Sequence, residues 1–337
     1  MTFQILSLSG GGFLGLYSAA VLTRLEAELG GAISDRFDLI AGTSIGGIIG
    51  LGLANGASPA EILAKFKEKG PKIFSTRKPA QSKSGQALEL LKNTCNAKYD
   101  AAPLKEAITE LIGADRRVGH LKKRVMVPAI NLTKGRPQVF KTAHHGSFRR
   151  DFRLHIADVA LATSAAPTFF PAHSISDELF TDGGLYANSP DQLALHEAIH
   201  FLDIPFEEIR MLSIGTTTSE FSFSHATSPN MGWMDWMSGS KLLKTTIAAQ
   251  QINCDAMMKH VLGDNYIRID KTLSPDQCKT LSLDTAGDYA MRDLEGLAEA
   301  SVRELKPEQL QVFRNHQAPV PQLFHTMEGE IELLGAD

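Results

Sequence analysis

Apolar residues recur along this chain with two periods, and the alternation between them predicts its elements. Gln4–Ser9 carries Ile5, Leu6 and Leu8 and reads as a short strand, followed by a helix through Tyr17, Val21, Leu22 and Leu25. Phe37, Leu39, Ile40 and Ala41 predict a second buried strand, and Ile48, Ile49, Leu51 and Leu53 a glycine-rich helix packed on it. Ser58-Pro59, a cap followed by proline at the first helical position, starts another helix with Ile62, Leu63 and Phe66 inside. Pro71–Lys98 is polar and reads as a mobile excursion or lid edge, and a helix is expected from Pro103 to Ile112. Val125–Asn131 and Gln138–Thr142 predict strands joined by the turn 133–137, and Arg210–Gly215 the last strand. Strands alternating with helices imply an α/β fold with a mainly parallel central sheet.

Beyond that strand the pattern changes. Phe221, Phe223, Met231, Trp233, Met234, Trp236 and Met237 form an aromatic and methionine patch. It reads as core or dimer interface, with a lipid-facing surface as the alternative. Helical patterns follow to His260, over Tyr289–Leu305 and over Pro307–Asn315. The expected division is therefore one α/β unit over 4–215 and a mainly helical C-terminal region over 216–337, packed on it.

Composition narrows the class. With 337 residues, 43% hydrophobic and 21% charged, the chain can bury a large core. A net charge of −4 argues against a protein that coats DNA or RNA. Two basic clusters, Arg116/Arg117/Lys122/Lys123/Arg124 and Arg149/Arg150/Arg153, read as solvated faces, with attraction to lipid or nucleotide phosphates as the alternative. Cys95, Cys254 and Cys278 are widely spaced and are expected as reduced thiols of a cytoplasmic protein. The first residues lack the charged start of a signal peptide. The longest apolar stretch, Leu39–Ala54, contains five glycines and reads as buried core rather than a membrane span.

Three motifs carry the candidate chemistry. Gly42-Thr-Ser44-Ile45-Gly46 stands between a strand and a helix, where a strained turn holds a serine hydroxyl at the sheet edge and Gly42 and Gly46 permit the close crossing. Gly10-Gly11-Gly12-Phe-Leu-Gly15 opens the first helix. Its bare amides could cradle a pyrophosphate or an oxyanion. The dinucleotide reading wants an acid at the end of the second strand, where this chain has the serine turn instead. In Asp182-Gly183-Gly184 a carboxylate sits beside glycines that allow close approach. Desolvated and held against the serine, it could serve as base.

In this order the motifs resemble the patatin-like phospholipases. The resemblance implies a three-layer α/β sandwich and a Ser–Asp dyad that needs no metal or cofactor. Ser44 would be the nucleophile, Asp182 the base, and the amides of Gly10, Gly11, Gly12 and Ile45 the oxyanion donors. Gly15, Gly42, Gly46, Gly183 and Gly184 would be the supporting glycines. Ser9 and Leu14 depart from the family, which often carries an acid and a basic residue there. Length and layout further resemble the effectors of cyclic-oligonucleotide antiphage (CBASS) systems. That likeness implies activation by a cyclic dinucleotide of the cyclic GMP-AMP type and peripheral attack on phospholipid of the inner membrane. A constitutive lipase, esterase or transacylase of the same fold is the alternative, and a homo-oligomer stays open.

A competing motif, His196-Glu197-Ala-Ile-His200, matches the zinc-peptidase pattern H-E-x-x-H. Solvated histidines on a helix are the favoured account. The same histidines could instead complete a Ser–Asp–His triad. A non-catalytic binding module would not need Ser44, Asp182 and the glycine loop together.

Overall fold

One strand without any candidate site residue organises this molecule. The computed structural model describes residues 2–75, 97–217, 229–232, 235–236, 241–274 and 276–328. In it β3 (Arg124–Asn131) pairs along one edge with β4 (Arg136–Lys141), antiparallel. Its other edge is shared. β2 (Leu39–Gly42) lies parallel to the first half, with Ala41 opposite Met126, and β6 (Glu178–Asp182) lies antiparallel to the second half, with Asp182 opposite Ala129. The two strands therefore point at one another along a common edge, and their C-terminal ends meet.

The remaining strands extend the sheet to both sides. β1 (Phe3–Leu8), β7 (Ile209–Ile214) and β8 (Tyr266–Ile269) continue it in parallel beyond β2, while β5 (His173–Ile175) caps β6. The order is β5-β6-β3-β2-β1-β7-β8, with β4 paired to β3 off this path. The sheet is thus mixed, parallel through the middle and antiparallel at one flank. Strand β8 corrects the expectation that the sheet ends at Gly215: Tyr266-Ile-Arg-Ile pairs in register with Met211–Ile214. Four residues are too few for a period of two to stand out.

Side-chain alternation then distributes the helices. Ile5, Leu39, Met126, Met211 and Tyr266 share a core with α7 (Asp191–His200) and α8 (Lys241–Leu262). Leu6, Leu8, Ile40, Val125, Val127, Leu212 and Ile214 face the opposite way. There they meet α1 (Gly15–Leu29), α2 (Ile45–Ala54), α3 (Pro59–Ile73), α4 (Ala102–Ile112) and α5 (Ile156–Ser164). The result is the expected three-layer helix–sheet–helix sandwich. Short α6 (Gly184–Ala187) follows β6, and α9 (Gln277–Thr280) precedes the last two helices. Of these, α10 (Asp288–Arg303) packs Met291, Leu294, Ala298 and Val302 into the larger core, and α11 (Pro307–Arg314) adds Phe313. The Ser58 cap expected at α3 is present and is part of a full capping box: Ser58 Oγ accepts from the Glu61 amide while Glu61 returns to the Ser58 amide. Most of the polar stretch 71–98 lies outside the described residues, as do Cys95, Phe221, Phe223, Trp233, Met234 and Met237.

Candidate active site

Where β2 and β6 converge, Ser44 Oγ donates to Asp182 Oδ2 at 2.6 Å. Both residues are buried, at 8% and 5% exposure. Ser44 has φ 54° and ψ −123°, a left-handed conformation that a side chain adopts only under strain. Local contacts hold it there. Its amide donates to Thr163 Oγ1 at 2.9 Å, and that hydroxyl donates in turn to the Pro128 carbonyl at 2.6 Å. Its carbonyl accepts from Ile48 and begins α2. The flanking glycines are sterically required: a Cβ on Gly42 would stand 2.2 Å from the Gly46 carbonyl oxygen, and one on Gly46 would stand 2.3 Å from that of Leu8.

Asp182 has few partners for a buried carboxylate. Oδ1 accepts from the Gly184 amide at 2.7 Å and Oδ2 accepts from Ser44. Burial dominates over these bonds and raises its pKa to about 6. The group ionises near neutrality and already faces a hydroxyl, which is the arrangement of a base beside its alcohol. Gly183 lets the motif run against β3, since a Cβ there would lie 2.3 Å from the Pro128 oxygen.

The glycine loop closes over the same place. Gly10, Gly11, Gly12, Ser44, Ile45 and Asp182 all line one cavity of about 340 Å³. Gly10 is not a free donor, which corrects the sequence expectation: its amide donates to the Asn188 carbonyl at 2.9 Å. Its own carbonyl accepts from Thr216 and Asn188, so Gly10 works as the loop's clamp. The amides of Gly11, Gly12 and Ile45 have no protein acceptor among the described residues. Gly12 adopts φ +56°, and a Cβ there would meet the Leu283 oxygen at 2.3 Å. Gly15 is needed too, because a Cβ would strike Ile45.

The cavity walls are mostly apolar. Ile48, Phe66, Ile73, Phe74, Phe169 and Phe170 come from the first 170 residues, and Leu243, Ile247, Ala248, Leu273, Leu281 and Leu283 from the C-terminal region. That second set was not foreseen, nor was Lys244 beside it. Such a lining suits hydrocarbon chains, and Ser44 stands at its wall.

The competing motif fares differently. His196 and His200 lie on the exposed side of α7, whereas Glu197 turns inward to Lys141 at 2.5 Å and His144 at 2.9 Å. Burial opposes charge on Glu197, yet His144 and Lys141 outweigh it and hold its pKa below the usual range. No third ligating side chain joins the two histidines among the described residues. Nor does any imidazole among the described residues reach Asp182, so the triad is not assembled. Part of the first basic cluster serves the fold: Lys123 pairs with Asp35 at 2.6 Å and Arg116 donates to Asn55 at 2.9 Å.

Comparison with known proteins agrees with this geometry. The family model described as patatin-like phospholipase matches residues 6–195. A protein of Pseudomonas aeruginosa named cGAMP-activated phospholipase is 42% identical over 328 residues, covering 96% of this chain and 95% of its own. Proteins of the same name from Escherichia coli and Vibrio cholerae are 36% and 35% identical, over 86% of this chain and 86% and 88% of theirs. With the strained serine turn, the glycine loop and the apolar slot already in place, the chain belongs to the patatin-like phospholipases and is a hydrolase of lipid esters.

Proposed function

We propose that Ser44 and Asp182 form a catalytic dyad that hydrolyses membrane phospholipids, switched on by a cyclic dinucleotide of the cyclic GMP-AMP type. The observation that carries the dyad is the buried 2.6 Å bond between the two side chains. A lipid enters with its acyl chain in the apolar slot and its ester carbonyl toward the amides of Gly11, Gly12 and Ile45. Asp182 Oδ2 takes the Ser44 proton as Oγ bonds to the carbonyl carbon. The resulting oxyanion rests on those amides, each worth about 3 kcal/mol in comparable acyl-transfer sites. The tetrahedral centre expels the lysolipid alkoxide, which receives the proton held by Asp182. Water, deprotonated by the same carboxylate, then cleaves the acyl-serine and releases the fatty acid. No step calls for a metal or cofactor.

The switch rests on the relatives named for cGAMP activation, which match almost the whole chain. Among the described residues no helix is long and apolar enough to cross a bilayer. We further propose that the enzyme docks on the inner membrane from the cytoplasmic side, where a charged cyclic dinucleotide made in the cell would reach it. The test is release of fatty acid from phospholipid vesicles by purified protein, with and without cyclic GMP-AMP, alongside Ser44 labelling by a fluorophosphonate. Nucleotide-dependent release and labelling, both lost in Ser44→Ala, are expected. Release that persists in Ser44→Ala would overturn the dyad, and turnover indifferent to the nucleotide would leave a constitutive lipase.

A further inference from the structure

The cavity beside Ser44 has a charge pattern that the sequence does not announce. Among the described residues lining it, two side chains are charged: Asp182, at the chemistry, and Lys244. Leu14 occupies the loop position where the family often carries a basic residue, so the glycine loop brings no cation of its own. Lys244 comes instead from α8, far along the chain.

Its direction follows from helical spacing. Lys244, Ile247, Ala248 and Gln251 all line the cavity and recur at i, i+3, i+4 and i+7, which is one face of a helix. The helix is fastened over the site from its next residue. Gln250 donates to the Leu185 carbonyl at 2.6 Å and accepts from the Asn188 amide at 3.4 Å, gripping the segment that follows Asp182. Further along, Cys254 and Met258 are buried in the smaller core. Lys244 itself is exposed and has no anionic partner among the described residues. An apolar slot whose described wall carries one unmatched ammonium fits a molecule with hydrocarbon chains and a fixed negative charge.

We propose that Lys244 is the residue that selects phosphate-bearing glycerolipids over neutral ones, by pairing with the phosphodiester while the adjacent ester lies at Ser44. The proposal rests on the phospholipase reading above for the position of the ester, and on α8 for the position of the charge. An ammonium on a flexible stem recognises phosphate as a point charge, so arginine should substitute for it at this exposed site.

The experiment uses the full chain with cyclic GMP-AMP and neutral detergent micelles carrying either phosphatidylcholine or a diacylglycerol with the same chains. Lys244→Met should lower kcat/KM for the phospholipid about threefold to fivefold and change the diacylglycerol value less than about 1.5-fold, and Lys244→Arg should restore the ratio. A second measurement does not depend on turnover: binding of a diether phosphatidylcholine in the same micelles should weaken about threefold to fivefold in the Met variant, with the neutral diether unchanged. Equal effects on the two lipids, or none, would overturn the role of Lys244. Selective loss of diether binding in a protein that hydrolyses neither ester would instead leave Lys244 standing and remove the dyad.

Discussion

Two buried aspartates, Asp182 and Asp191, stand close in sequence and in opposite circumstances. Asp182 accepts one hydroxyl and one amide. Asp191 accepts from the hydroxyls of Ser7, Ser213 and Tyr266, and Arg268 lies within reach of its charge. Arg268 itself donates to Ser9 at 3.0 Å, Ser213 at 2.7 Å and Asp270 at 2.7 Å, tying β8 to the residue before the glycine loop. The same side chain is saturated in one place and under-bonded in the other. Saturation fixes one carboxylate in the framework, and scarcity leaves the other facing a hydroxyl as a base would.

The sharpest way to break this contrast is to remove each carboxylate. Asp182→Asn, like Ser44→Ala, should cut lipid hydrolysis by about a thousandfold or more. Its denaturation midpoint at pH 8 should rise, because about 3 kcal/mol of buried, poorly solvated charge is gone. Asp191→Asn should do the reverse. It leaves a buried guanidinium short of an anion and should cost about 3 kcal/mol of stability in urea titrations, while folded protein still labels at Ser44.

A smaller effect is expected one bond further out. Thr163→Val deprives the Ser44 amide and the Pro128 carbonyl of their common partner. An orphaned buried pair costs about 1–3 kcal/mol, and a relaxed serine turn should slow fluorophosphonate labelling about tenfold. The mildest test is pH. Asp182 keeps its proton up to about pH 6 when folded and releases it near its ordinary 3.8 when unfolded. Its contribution to stability is therefore complete below 3.8 and disappears as pH climbs through 6. Activity should run the opposite way, with kcat/KM rising through an apparent pKa near 6 and then levelling. Parallel rather than opposed trends would show that another group controls the rate.

Much of the site was legible because it is written in short-range constraints. The Ser44 turn needs glycine at both ends, and those residues announce it within five positions. The Asp182 motif and the glycine loop are similarly local. What escaped the sequence depends on partners from distant segments. The Gly10 amide looked available until Asn188, 178 residues later, presented its carbonyl. Lys244 gained meaning through a helix whose placement depends on Gln250. Glu197 matched a metal motif letter for letter, but Lys141 and His144 approach it from other elements. The parallel core was predictable from alternating patterns, whereas β8 was too short and the hairpin β5–β6 too polar to register.

One feature of the fold reaches further than its own residues. The gap between Ser44 and Asp182 is gauged by β3, along which β2 and β6 dock head to head. Lengthening β3 by one residue between Met126 and Ala129 would move those ends apart by about 3.3 Å and turn the following side chains to the opposite face. The β3 backbone thus acts as the spacer between Ser44 and Asp182, and the chain between the two motifs can wander so long as that spacer keeps its length.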